Sequence, residues 1–475
     1  MKTTTATSHA PLRLVHLTTE PSALPFMGPQ TTAAVRAGYT VEAISSPGER
    51  LERFGRQHSI RVHAVRMHRR ITPLADLVAL VRIALVLCKG RFHLVHAHTP
   101  KAGLLGMLAA WIVRVPVRIY HIHGMPLLTA RGPRRWLLWL SDRVACRLAH
   151  QVLCVSHSVR AEAIAAGLCP ADKVQVLGAG SACGVDAQGH FSPDRFTPAM
   201  RRAVRAQFGL PSEAVVVGYV GRLVRDKGLV EWAAAWQPLR SRFPHLHCLL
   251  VGEAEPQDPI PVEVLESLHA DPRVHFTGHL ADTAPVYAAL DLLVLPTYRE
   301  GLPTVVLEAA AMGVTVVATR IPGCIDAVVD GQTGTHVAPR DAAELAAAVA
   351  RYLLDPSLRA RHAAAARERV LREFRPAEIA EATLALYRHW LERRGVARAP
   401  ARLPHAVLRG PHTRSRSREA APPSQPHSAD AAHHGAPRPF GSETARSNAA
   451  TGASANTRAT AAGDSNTTVR GAPQP

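Results

Sequence analysis

The stretch Tyr298-Arg299-Glu300-Gly301-Leu302-Pro303, preceded by Asp291 to Pro296 and followed by Thr304 to Met312, decides the fold class. Asp291 to Pro296 is short and rich in Leu and Val, so it reads as a buried strand, and the residues after Pro303 read as a helix. A buried strand that enters a helix through a short loop is the repeating unit of a parallel sheet. Ligands gather at such strand ends, where the free amides of the helix start donate to anionic or hydroxyl-rich groups. Glu300 lies in the loop, and Glu308 sits about one turn into the helix between Leu307 and Ala309. Two carboxylates on one side of a cleft can accept hydrogen bonds from several hydroxyls. A helix-start Glu300 with a favourable dipole and a solvated Glu308 would also satisfy the spacing.

The same alternation runs outward in both directions. Towards the N-terminus, apolar runs at 12–17, 40–45, 60–65, 93–98, 117–123, 151–156 and 174–177 predict seven strands with helices between most of them. A second series at 215–221, 247–252, 274–278, 291–296, 315–319 and 334–337 predicts six more. Residues 178–212 are rich in Gly, Pro and polar side chains and read as the connection between two α/β halves. The run Gly178-x-Gly180 to Asp186 introduces no helix and lacks dinucleotide-loop spacing, so it reads as a hinge-side connector. The expected organisation is a flexible start at 1–11, a first domain at 12–185, a linker at 186–212, a second domain at 213–375 and a helix at 376–395. From 396 to 475, Ala, Pro, Ser, Thr, Arg and Gly dominate, and such a segment buries too little apolar surface to offset its ordering entropy.

Composition agrees with this class. Hydrophobic residues make up 47% and aromatic residues 5%, a balance that suits helices packed on buried sheets. The seven cysteines form no C-x-x-C pair, which points to free thiols in a reducing compartment. The N-terminal residues contain no signal-like apolar run. The apolar stretches Leu74 to Cys88 and Ala102 to Val113 fall short of the roughly 18 residues that a spanning helix needs. Of the net charge of +19, ten arginines against four acids place about +6 beyond residue 397. No nucleic-acid motif accompanies the charge. The basic and aromatic stretch Arg131 to His150, with Arg134, Arg135, Trp136 and Trp139, fits either a solvated helix face or docking on anionic lipid.

A second loop of the same kind follows the strand at 215–220: Gly221-Arg222-Leu223, then Lys227-Gly228. Gly permits close backbone approach, Arg222 offers a fork of donors and Lys227 a point charge, a set suited to a diphosphate. The lysine precedes Gly228, so the loop is not a Walker A motif.

With both loops in this order, the second half resembles glycosyltransferase family 4 of the GT-B fold, whose marks are E-x7-E within E-G-x-P and a G-R-L-x-x-x-K-G loop. The likeness continues through Glu308 to Gly313, Val316 to Thr319, Gly323 and Asp330-Gly331-x-x-Gly334. It implies two Rossmann-like, doubly wound parallel-sheet domains facing a cleft, with the helix at 376–395 crossing back. It further implies that Arg222 and Lys227 hold a donor diphosphate, Glu308 the ribose hydroxyls, and Glu300 the donor sugar. The backbone of Gly221 and of Gly301, Leu302, Pro303 and Thr304 would complete the cradle.

In the first half, His96-Ala97-His98-Thr99-Pro100-Lys101-Ala102-Gly103 and Val117 to Gly124 resemble the bacterial capsule and O-antigen branch of the family. There the position of His123 borders the donor sugar, where an imidazole can hydrogen-bond a hydroxyl or steady developing charge; a satisfied strand-end histidine is the other reading. Each His pair, 96/98 and 121/123, lies on one face of its strand, a spacing able to chelate metal, but no third ligand with suitable spacing stands out, and no metal requirement is expected. Thr18 to Ser22 stands where many members carry a Gly-Gly loop, and Ile325 where close relatives often carry Arg. The resemblance implies a retaining hexosyltransferase with a nucleotide-sugar donor such as a UDP-N-acetylhexosamine and a polyprenyl-diphosphate-linked saccharide acceptor. It would work in the cytoplasm, peripherally on the anionic inner membrane face, without nucleic acid. An epimerase or hydrolase of the same architecture, or a non-catalytic membrane-associated scaffold, are the competing readings.

Overall fold

A computed structural model describes residues 11–256 and 258–396. The expected flexible start and basic tail fall, but for residues 11 and 396, outside the described residues. Thirteen strands form where apolar runs stand between helical segments: β1 (Arg13–Leu17), β2 (Thr40–Ser45), β3 (Arg61–Ala64), β4 (Leu94–His98), β5 (Val117–Ile122), β6 (Gln151–Cys154), β7 (Val174–Gln175), β8 (Val215–Val220), β9 (Leu246–Val251), β10 (Val274–Gly278), β11 (Leu292–Leu295), β12 (Thr315–Thr319) and β13 (Gly334–Val337). They build two all-parallel sheets, ordered β3-β2-β1-β4-β5-β6-β7 and β10-β9-β8-β11-β12-β13. Both are doubly wound and reverse direction at a switch point, β1/β4 in one and β8/β11 in the other. At such points the diverging connections leave a crevice at the carboxyl edge. Central strands such as β11 and β12 are buried along their whole length, which is why they read as unbroken apolar runs.

The chain passes twice between the halves. Its second crossing is at Phe374-Arg375-Pro376, where helix Pro356–Glu373 ends against the second sheet and helix Pro376–Arg393 begins. Pro376 forbids continuation of the first helix, and the second packs Leu384, Leu386, Tyr387 and Leu391 against Leu14, Val41 and Val117 of the first half. The first crossing lies alongside, where the Val185 amide donates to the Phe374 carbonyl at 2.8 Å.

Segment 186–212 does more than link. It contains helix Pro198–Gln207, whose first turn is capped by the Thr197 hydroxyl accepting from the Met200 amide. Arg205 ties this helix to Asp291 at 2.9 Å, and Phe191, Phe196 and Phe208 pack on the second-half core. The Gly- and Pro-rich flanks hid a ten-residue helix that belongs to the second half. All seven cysteines are unpaired, and no helix among the described residues is long and apolar enough to cross a membrane.

Candidate active site

At the carboxyl edge of β8, the chain turns through Gly221 and presents Arg222 and, after one 3-10 turn, Lys227. Gly228 then takes φ +74°, and a Cβ there would stand 1.9 Å from the Pro296 carbonyl oxygen, so only glycine lets this loop lie against the end of β11. The loop after β11 carries Glu300 to the same place, and the Lys227 ammonium forms an ion pair with the Glu300 carboxylate. Arg222 is held by Glu255 at 2.7 Å, and Glu255 also accepts from Arg69 of the first half at 3.0 Å. These two guanidinium groups hold the Glu255 carboxyl below its usual range against the opposing effect of burial.

The first half closes over this surface from the other side. Ser156 donates through its hydroxyl to the Gly301 carbonyl at 2.8 Å, and the Gly323 amide donates to the Ser158 hydroxyl at 2.7 Å. Asp326 accepts from the amides of His157 and Ser158. A Cβ on Gly301 would meet the His123 carbonyl oxygen at 1.9 Å, so the close approach of the halves depends on this glycine. Between them lies a cavity of about 310 Å³, lined by His123 and Phe26 on one side and Gly221, Arg222, Lys227 and Glu300 on the other, with Gly301, Leu302, Pro303 and Thr304 as its floor. Burial lowers the His123 imidazole to about 4, so it is neutral at ordinary pH, and its Nε2 lies 2.9 Å from His98 Nδ1.

Glu308 is partnered within the protein. It is half-buried at the start of helix Thr304–Ala311, accepts from Tyr287 Oη at 2.8 Å and Thr283 Oγ1 at 3.3 Å, and desolvation raises its carboxyl above the usual range. It lines a larger cavity of about 1170 Å³ that adjoins the first at Thr304 and Val305 and extends to Arg388 on the crossing helix. The E-x7-E pair thus divides between two connected spaces, Glu300 in the smaller and Glu308 in the larger. His123 and the residues expected to hold the donor, Gly221, Arg222, Lys227, Glu300 to Thr304 and Glu308, all line these two adjoining cavities. The residues that hold them, Glu255 on Arg222, Tyr287 and Thr283 on Glu308, and the Ser156 and Ser158 hydroxyls on the glycine-rich loops, carried no local signal. The histidine pairs of β4 and β5 are joined by His16 of β1.

Two switch-point crevices facing one another, with cations at one edge and carboxylates at the next, define a protein of the GT-B class. Residues 214–355 match the family Glycosyl transferases group 1, and residues 28–180 match the Glycosyl transferase 4-like domain. The capsular polysaccharide biosynthesis glycosyltransferase CapM of Staphylococcus aureus is 30% identical over 380 residues, covering 80% of this chain and 98% of its own. The UDP-Gal:alpha-D-GlcNAc-diphosphoundecaprenol alpha-1,3-galactosyltransferase of Escherichia coli is 24% identical, covering 54% of this chain and 65% of its own. Among solved structures, Anabaena Alr3699/HepE in complex with UDP and glucose superposes with TM-score 0.66 at 23% identity, covering 80% of this chain and all of that one. The chain belongs to glycosyltransferase family 4 and is a hexosyltransferase.

Proposed function

We propose that this protein is a retaining hexosyltransferase of cell-envelope polysaccharide assembly, moving a sugar from a UDP-linked donor to a polyprenyl-diphosphate-linked saccharide. The observation that carries this reading is the convergence of Arg222, Lys227, Glu300 and His123 on one cavity of about 310 Å³. The capsular relative supports the polysaccharide context, and the diphosphoundecaprenol relative supports the lipid-linked acceptor. Our preferred donor is UDP-N-acetylhexosamine.

In this reading Arg222 and Lys227 bind the donor diphosphate and take up the charge that grows on it as the glycosidic bond breaks, the largest expected share of catalysis. Two fixed cations replace a metal at this diphosphate, so transfer needs no metal cofactor. Glu308, aimed by Tyr287 and Thr283, accepts from the ribose hydroxyls. Glu300 and neutral His123 border the sugar, and the acceptor hydroxyl attacks the face that the diphosphate vacates, with no covalent intermediate on the protein. A hydrolase or epimerase would release free sugar or isomerised donor in the absence of acceptor. Incubating the purified protein with UDP-sugars, with and without a diphosphopolyprenyl saccharide, separates the outcomes: transfer requires both substrates and yields an elongated lipid. Free or isomerised sugar as the sole product refutes the proposal.

The acceptor's lipid calls for a membrane face, and the protein would meet it from the cytoplasm. Helix Pro73–Gly90 exposes Leu74, Leu77, Val78, Val81 and Leu85, neighbouring helix Pro100–Ile112 exposes Trp111 and Ile112, and helix Gly132–Leu148 next to it exposes Trp136, Leu137 and Leu140. Exposed Arg82, Arg131, Arg134 and Arg135 accompany them. Apolar side chains accompanied by arginines suit insertion into an anionic lipid interface. Val81→Glu together with Leu77→Glu is expected to weaken sedimentation with phosphatidylglycerol vesicles at least tenfold while leaving UDP-sugar binding unchanged; equal sedimentation would remove this face from the proposal.

A further inference from the structure

We propose that His16, His96 and His98 bind a transition-metal ion of the zinc class, at a site separate from the transfer chemistry. The three come from β1 and β4, adjacent parallel strands at the switch point of the first sheet. His16 is in register with His96, and His98 with His121 of β5, so alternation along the strands turns the rings to one face. One nitrogen from each of His16, His96 and His98 lies within 4.8 Å of the others, and all three side chains are fully buried. His98 also belongs to a second trio with His121 and His123.

The hydrogen-bond inventory of this patch is incomplete in a way that an ion would complete. A neutral imidazole has one donor and one acceptor nitrogen. His96 Nε2 is buried without a partner, and a bound ion would supply one. Leaving a buried polar atom unpaired is unfavourable.

One of the spacings also fits a tetrahedral ion. With metal–nitrogen bonds of about 2.0–2.1 Å, two ligands of one tetrahedral zinc stand roughly 3.3 Å apart. His16 Nδ1 and His98 Nε2 are 3.2 Å apart, a hydrogen bond that an ion held by these two nitrogens would replace. His96 Nδ1 meets Tyr387 Oη of the crossing helix at 2.6 Å, an outer contact of the kind that fixes the ring of a metal-bound histidine and leaves its Nε2 free. An all-imidazole set favours zinc, copper or nickel over magnesium or calcium. His98 Nδ1 lies 2.9 Å from Nε2 of the partly buried His123, which lines the donor cavity. An ion here would tie β1 and β4 to Tyr387 and lie behind His123, one imidazole away from the donor cavity.

The test uses the full chain without a histidine tag, stripped with chelator, dialysed against zinc chloride and freed of excess by gel filtration. Elemental analysis is expected to find about one zinc per chain, falling to roughly a tenth in His16→Gln and in His96→Gln, and zinc is expected to raise the melting temperature of the wild type alone. Cobalt loaded into the wild type should give the intense visible bands of tetrahedral nitrogen coordination, a readout that needs no variant. Wild-type zinc below roughly a tenth of an equivalent, equal zinc in a folded variant, or an octahedral cobalt spectrum would overturn the proposal.

Discussion

Lys227→Ala removes one cation from the cavity and leaves Glu300 facing an apolar gap. The two side chains are 17% and 14% exposed, so solvent screens their attraction little. Two unit charges about 4 Å apart interact by ~4 kcal/mol at an effective dielectric of about 20. Part of that is returned because the ammonium no longer has to be desolvated, so a loss of about 1–3 kcal/mol in folding stability is expected. The donor diphosphate loses a charge-assisted contact of about 1.5–3 kcal/mol, which weakens UDP-sugar binding by roughly 10- to 150-fold. Because the lysine meets charge that grows in the transition state, turnover should fall by a further 10²–10³, roughly the cost of losing one preorganised donor. The double variant Lys227→Ala/Glu300→Gln separates fold from function. Neutralising the stranded carboxylate should restore most of the urea midpoint and none of the transfer. Urea melts, calorimetric titration with UDP and chromatographic assay of the elongated lipid measure the three quantities. Transfer within about threefold of wild type in Lys227→Ala, or recovered transfer in the double variant, would show that this cation does not serve the diphosphate.

Glu308→Gln should keep or raise the thermal midpoint at pH 8, because the native carboxyl is held above its usual range and its ionisation costs stability as pH rises through that raised value; UDP affinity should drop about tenfold by calorimetry. Gly301→Ala places a methyl against the His123 carbonyl, so transfer should fall at least tenfold and the radius of gyration in solution scattering should grow; an unchanged rate would mean that the closed approach of the halves is not the working one. Asp142 accepts from Tyr120 Oη at 2.9 Å and is raised by burial to about 6 from 3.8. Its contribution is fully present below the unfolded value and is lost as pH rises through about 6, so Asp142→Asn should melt higher than wild type at pH 8, with the gap closing towards pH 4.

The parallel αβ architecture was legible because its causes are local. Strands buried on both faces must be continuous apolar runs, and turns between them need Gly, Pro or polar residues, so each of the thirteen strands announced itself within a few residues. The two loops that carry Arg222, Lys227, Glu300 and Glu308 were legible for the same reason. Helix Pro198–Gln207 was not, because its apolar face is thin and its hold on the second half comes from Arg205 reaching Asp291, 86 positions away.

What only the tertiary structure decided is partnership. Sequence spacing placed Glu300 and Glu308 eight positions apart on one loop and helix, but strand order β8-β11 set Lys227 against the first, and helix Ala284–Ala289 with the Thr283 before it set Tyr287 and Thr283 against the second. Spacing showed two histidine pairs; parallel register brought His16, 80 positions from its partner His96, into their face. Periodicity along a chain reports which way a side chain points. What it points at depends on strand order and register, and those follow from burying every apolar face at once.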